Sequence, residues 1–264
     1  VNGGDNLYVN ADGVMELIHR FDLNNDGEVD IVISNTHGEI TTVPSFLYKQ
    51  LDDGTWDKSE LPKKGGWRTI IKDIDGDGFP DLLILYAQNG ITSNLYSSIL
   101  WGGPGGITSE KTDLYTQGAY DAELLDISGN GLLDIFIPSA WEDLHNPGEP
   151  RDSHVFIQEK PRQFVDKRAE YGIKSNVGLA VAACDFNKNG QTDLVISNLR
   201  VGFDTDTDSY LYMGIESGFV NPEPIRLPTH FAHHVEAGDL NDDGFEEIVF
   251  SGGGEVRIYW NREG

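Results

Sequence analysis

Asp73-Ile74-Asp75-Gly76-Asp77-Gly78-Phe79-Pro80-Asp81 decides the fold, because the same nine-residue pattern occurs five times in the chain. The copies begin at Asp22, Asp73, Asp126, Asp185 and Asp239, 51 to 59 residues apart. They read DLNNDGEVD, DIDGDGFPD, DISGNGLLD, DFNKNGQTD and DLNDDGFEE. A unit that recurs at such a period cannot bury its apolar face alone, so neighbouring copies must stack. Five copies use up essentially all 264 residues.

Each loop lies between two strand-like runs. The runs that follow it are Ile31-Val32-Ile33, Leu82-Leu83-Ile84-Leu85, Ile135-Phe136-Ile137, Leu194-Val195-Ile196 and Ile248-Val249-Phe250. They are apolar without alternation, which predicts strands buried on both faces. A third run follows in each copy (Ser98-Ile99-Leu100-Trp101 and Tyr210-Leu211-Tyr212 among them), then a more polar fourth. Four strands per repeat, the last most exposed, is the pattern of a propeller blade. The expectation is an all-β, five-bladed β-propeller with four-stranded antiparallel blades in a single domain, residues 1–264. The repeats run over about 13–64, 65–116, 117–174, 175–228 and 229–264. Residues 1–12, with Asn6-Leu7-Tyr8-Val9-Asn10, are expected to supply the last blade's missing strand and close the ring, which would remove an open edge.

The loops offer oxygen ligands only, at alternate positions, which suits a hard and flexibly coordinated cation: Ca²⁺ before Mg²⁺ or zinc. Side chains at positions 1, 3, 5 and 9 and the backbone carbonyl at position 7 form each candidate set. These are Asp22, Asn24, Asp26, Glu28 and Asp30; Asp73, Asp75, Asp77, Phe79 and Asp81; Asp126, Ser128, Asn130, Leu132 and Asp134; Asp185, Asn187, Asn189, Gln191 and Asp193; Asp239, Asn241, Asp243, Phe245 and Glu247. Position 12, where a helix–loop–helix calcium site needs a bidentate Glu, holds Ile33, Ile84, Ile137, Ile196 and Phe250, so the loops close hairpins instead. Carboxylate count ranks the second loop first, the first and fifth next, and the third and fourth lowest, the third being the weakest. Up to five Ca²⁺ are expected. Their even spacing makes their role structural, and loops of this kind fit extracellular or periplasmic calcium levels.

The net charge of −25 argues against nucleic acid and anionic membrane surfaces, which need a basic footprint. No apolar run reaches the length of a membrane span. The lone Cys184 lies in Val181-Ala182-Ala183-Cys184 and reads as a buried small side chain.

The loops, together with Leu100-Trp101-Gly102-Gly103-Pro104-Gly105-Gly106 and Leu211-Tyr212-Met213-Gly214-Ile215-Glu216-Ser217-Gly218-Phe219, resemble the FG-GAP/VCBS repeat family. That family includes integrin α-subunit propellers, bacterial secreted proteins and propeller lectins. The resemblance implies calcium loops joining the first and second strands of each blade, on one rim of a secreted propeller. Five repeats in place of the family's usual seven weaken any transfer of its ligand sites.

Function is expected where the copies differ, in the loops between second and third strands and in the linkers between blades. The third such loop is long and carries Trp141, His145, Arg151, Asp152 and His154; the linkers add Trp67, Arg68, Tyr120 and His233. Aromatic faces with planar polar groups suit sugar recognition. Three readings follow: a binding or adhesion module for a glycan or an extracellular protein, a polysaccharide lyase or hydrolase, and a passive domain of a larger secreted protein. No catalytic constellation stands out, so the enzyme reading rests on fold analogy.

Overall fold

In a computed structural model of the chain, every nine-residue loop joins two antiparallel strands, and the molecule is built almost wholly of antiparallel sheets. The structure describes residues 6–9, 15–35, 43–61, 64–89, 91–140, 149–202, 204–215, 219 and 223–262, with 6–9 and 15–20 as backbone only. The chain divides into two compact units, Val1–Ala119 and Tyr120–Gly264.

The first unit holds two sheets. One has the order β1 (Asn6–Val9), β2 (Met15–Phe21), β3 (Asp30–Asn35), β4 (Phe46–Gln50), β5 (Trp56–Glu60). The other has the order β6 (Arg68–Lys72), β7 (Asp81–Leu85), β8 (Asn94–Leu100), β9 (Lys111–Gln117). Val32 of the first sheet and Leu61, just after β5, pack against Ile71, Leu82 and Ile84 of the second, with Leu23 of the first loop in the same cluster. Strand β7 is buried at every position, as its unbroken apolar run predicts.

The second unit begins with β10 (Glu123–Leu125) and β11 (Asp134–Ile137). Then come the two-residue β12 (Arg151–Asp152), β13 (His154–Lys160), β14 (Gln163–Asp166), a short helix α1 (Arg168–Tyr171) and β15 (Lys174–Ser175). Strands β10, β11, β13 and β14 form the third sheet, while β12 pairs with β15. The fourth sheet is β16 (Gly178–Cys184), β17 (Asp193–Asn198), β18 (Asp206–Tyr212) and β19 (Ile225–His230). The fifth is β20 (Ala232–Gly238), β21 (Glu247–Gly252) and β22 (Glu255–Tyr259).

The fourth sheet explains why its strands do not alternate in polarity. Leu194, Ile196, Tyr210 and Tyr212 face a cluster with Phe136, Val155 and Ile157 of the third sheet. Val195 and Leu211 point the other way, into a cluster with Val235, Ile248 and Phe250 of the fifth. Successive side chains of a strand point to opposite faces, so a sheet covered on both sides must be apolar throughout. Each such aliphatic side chain contributes on the order of 2 kcal/mol by leaving water. Cys184 lies in the second of these clusters, and burial pushes its thiol up to about 12, which leaves it inert.

One expectation is corrected. Residues 6–9 do not complete the last sheet: β1 pairs with β2, Asn6 opposite Ile18 and Val9 opposite Met15. The fifth sheet has three strands among the described residues. Pairing with the adjacent strand closes a short loop, and the entropic cost of closure grows with loop length.

Candidate functional site

The five loops share one internal hydrogen-bond plan. The position-1 aspartate accepts two backbone N–H groups, from positions 5 and 6. At Asp73 these come from Asp77 at 3.1 Å and Gly78 at 2.9 Å; at Asp22 from Asp26 at 3.0 Å and Gly27 at 2.9 Å. Asp126, Asp185 and Asp239 repeat both bonds. The position-5 side chain accepts the N–H of position 7, as Asp77 does from Phe79 and Asn130 does from Leu132 at 2.8 Å. These turns explain why Asp and Asn fill the alternate positions. Position 6 needs glycine because its φ is positive, 91° at Gly78. Position 4 is left-handed as well, at Asn25, Gly76, Gly129, Lys188 and Asp242, a requirement the repeat pattern does not announce.

The carboxylate at position 9 has a second task. It is buried, and it ties the start of its loop to the end of the third strand. Asp81 accepts the N–H of Ile74 at 2.8 Å and that of Gly102 at 2.7 Å. Asp30 accepts from Leu23 and Gln50 and Asp193 from Phe186 and Gly214 in the same way, while Asp134 accepts from Gln158 and, one position later in its loop, from Ser128. Glu247 departs from the plan. Its Oε2 accepts the N–H of Leu240 at 2.8 Å, but Oε1 is buried with no partner among the described residues. The extra methylene of Glu alters the reach that four aspartates share.

Burial sets the electrostatics. It pushes Asp81 up to about 6 against its two N–H bonds, and Asp75 and Asp77 push the same way as burial. Burial also raises Asp30, Asp134 and Asp193. Asp26, exposed, is instead held low by the N–H of Glu28 and the amide of Asn24. A cation among these groups would reverse the shift at position 9 by favouring the charged carboxylate.

Ligand geometry distinguishes the second loop. Asp73, Asp75 and Asp81 bring one carboxylate oxygen each within 4.8 Å of one another. Opposed oxygens around a cation with bonds of about 2.4 Å lie about 4.8 Å apart, so this spacing fits a calcium-sized ion. Among the described residues no other three acidic, His or Cys ligands come so close. Position 3 is an amide or a hydroxyl in the other four loops, at Asn24, Ser128, Asn187 and Asn241, which leaves fewer carboxylates to converge.

The ligand-binding candidates are scattered. Trp141 and His145 lie outside the described residues. Trp67 is exposed, and its backbone N–H donates to Leu85 O; Arg68, next to it at the start of β6, is half-buried. Tyr120 is half-buried, and burial raises its hydroxyl. His233 is exposed with its ring edge-on to Phe231, the centroids 4.7 Å apart. His154 is corrected as a surface contact: it is fully buried, stacked on Phe156 and 3.2 Å from Asp166 through Nδ1. Burial lowers its pKa and keeps the ring neutral. It begins β13 on the face that packs into the sheet.

Arg151 and Asp152 are brought together with the linker by the β12–β15 pairing, Asp152 opposite Lys174. Asp152 lines a cavity of about 380 Å³ with Lys174, Tyr210, Tyr212, Glu223 and Arg226. Of these only Asp152 stands out in the sequence. Arg226, a basic residue on the polar fourth strand of so acidic a chain, carries the one sequence signal at this site besides Asp152.

The fold and loops define an all-β repeat protein with an acidic hairpin loop in each repeat. Residues 22–84 match the model of the FG-GAP-like repeat. The chain is 24% identical over 233 residues to integrin alpha-PS3 of Drosophila melanogaster, covering 83% of this chain and 19% of that protein. It is 35% identical over 101 residues to human integrin alpha-6, 33% of this chain and 9% of that protein. The Gallus gallus integrin alpha-6 is 27% identical over 166 residues, 53% of this chain and 15% of that protein. The match and these relatives support an FG-GAP repeat family for this chain. The chain spans less than a fifth of the length of these relatives. No helix among the described residues is long and apolar enough to cross a membrane.

Proposed function

We propose that this chain is an extracellular adhesion or binding module: a five-bladed β-propeller, stiffened by Ca²⁺ in its hairpin loops, that recognises a glycan or another extracellular protein. The observation that carries the reading is the contrast between the loops of one repeat. All five nine-residue loops follow one hydrogen-bond plan, whereas the connections between second and third strands run from the two residues Gly253–Gly254 to the stretch between β11 and β13 that contains β12. A uniform set of loops serves the scaffold, and variable loops on a rigid scaffold serve recognition.

The calcium assignment is supported by the all-oxygen donor set and by the spacing at Asp73, Asp75 and Asp81. The residues that would hold the ion are the candidate sets given above, with each position-9 aspartate sharing its oxygens between the ion and two backbone N–H groups. The ion would neutralise carboxylates that the fold otherwise crowds together, and five ions would bring the net charge from −25 to about −15. The relatives are integrin α chains, which favours an adhesion role outside the cell.

The test is binding of the calcium-loaded chain to a glycan array and to a panel of extracellular matrix proteins, with and without EDTA. Saturable, calcium-dependent binding to one of them supports the reading. Silence on both surfaces overturns it, as does reducing-end release from a polysaccharide panel.

A further inference from the structure

We propose that the cavity between the β12–β15 pair with α1 and the fourth sheet binds a carboxylate-bearing sugar, a hexuronic acid residue, with Arg226 and Lys174 holding the carboxylate. This rests on the recognition role proposed above and narrows it to one site and one ligand class.

The floor of the cavity is aromatic and fixed. Tyr210 and Tyr212 are buried, with their rings edge-to-face and 6.1 Å between centroids. Their hydroxyls are used within the protein. Tyr210 Oη accepts from Asn176 Nδ2 at 2.6 Å; Tyr212 Oη accepts the N–H of Lys174 at 3.0 Å and donates to its carbonyl at 2.7 Å. The tyrosines therefore anchor the linker and form a rigid, nearly fully buried floor, with the Arg226 guanidinium over the Tyr210 ring.

The mouth carries exposed charge. The Arg226 guanidinium stands 5.5 Å from the centre of the Tyr210 ring and only 3.8 Å from Asp208 Oδ2. Lys174 Nζ is 3.6 Å from Asp152 Oδ1. Both cations are more than half exposed, and both contacts are longer than a charge-assisted hydrogen bond. Ion pairs this loose contribute little to stability, so an incoming carboxylate can replace them at small cost.

The combination selects the ligand. A chain with a net charge of −25 repels simple anions at long range; on this cavity Lys174 and Arg226 offset Asp152 and Glu223, which makes its lining locally neutral. Asp152 and Glu223 at the same mouth accept from hydroxyl donors, which a carboxylic acid lacking hydroxyls does not supply. Pro150 and Pro224 offer apolar surface against which the C–H face of a sugar packs. A volume of about 380 Å³ lies at the small end for ligand pockets, enough for one or two sugar rings.

The experiment titrates the calcium-loaded chain with methyl β-glucuronide, methyl β-glucoside and sodium acetate, read by saturation-transfer NMR and calorimetry. The glucuronide should bind at least tenfold more tightly than either the neutral glucoside or acetate. Arg226→Gln and Lys174→Gln should each weaken it at least fivefold while the melting temperature stays unchanged, since both side chains are exposed. Equal binding of the glucoside, equal binding of acetate, or unaltered affinity in both variants overturns the assignment. Absence of glucuronide binding while another glycan or a matrix protein still binds overturns this assignment alone. Absence of all binding removes the recognition role as well.

Discussion

The backbone N–H of Gly102 donates to Asp81 Oδ1 at 2.7 Å, fixing the end of one strand to the last residue of a loop 21 positions earlier. The other oxygen of Asp81 takes the N–H of Ile74, so one buried carboxylate holds three chain segments together. Replacing it with Asn puts an amide N–H against one of these donors. Asp81→Asn should cost about 3 kcal/mol of stability even in EDTA, measured by urea unfolding. Asp77→Asn should cost less than about 1 kcal/mol in EDTA, because Asn130 and Asn189 fill that position in two other loops. Its effect should appear only as weaker calcium affinity. Equal losses for both variants in EDTA would remove the latch from the account.

Gly102 and Gly214 are equivalent residues in the second and fourth repeats, each donating to a position-9 aspartate at 2.7 Å. A Cβ on Gly102 would lie 2.2 Å from Pro80 O, and one on Gly214 2.1 Å from Thr192 O. Both clashes are with backbone, which cannot swing aside. Gly102→Ala and Gly214→Ala should each destabilise by more than about 3 kcal/mol. Gly76→Ala, at φ +77° with open space around it, should cost only about 1 kcal/mol. Thermal unfolding of the three variants side by side checks the ordering.

Calcium and protons should compete at position 9. Burial raises Asp81 to about 6, so in the metal-free protein the folded state binds a proton more tightly than the unfolded chain does. The stability that this gives is present below the ordinary aspartate range near pH 4, and is lost as pH rises through 6. Asp30, Asp134 and Asp193 shift in the same direction. Buried His154 works against this trend: its lowered pKa removes stability as pH falls through the ordinary histidine range. Its contribution cancels when calcium-loaded and EDTA-treated samples are compared at each pH. The gain in melting temperature on adding calcium should therefore shrink steadily from pH 7.5 to pH 5. A gain that is constant over this range would contradict the placement of the ion against position 9.

The repeat and the composition of its strands were legible because they follow from periodicity. Apolar runs without alternation at Leu82–Leu85 and Leu194–Ile196 require cover on both faces, and they have it. Register partners are not legible: a four-residue strand such as β1 carries no mark of which edge it joins, and it pairs with β2. The position-9 latch was hidden for a different reason. A carboxylate that binds a cation and one that accepts backbone N–H groups look alike in sequence, and Asp81 is placed for both. The cavity at Arg226 and Lys174 joins residues 52 positions apart across two sheets, a juxtaposition that only packing reveals.

The claim on which the rest depends is that the hairpin loops hold calcium as part of the fold. Calcium titration of the EDTA-stripped chain, followed by its melting temperature, tests it most directly. Several sites that bind only the folded state should raise the melting temperature by about 10 °C at saturating calcium. Asp73→Asn should lower that gain more than Asp126→Asn, in keeping with the three converging carboxylates of the second loop. A melting temperature that does not move with calcium would contradict the account.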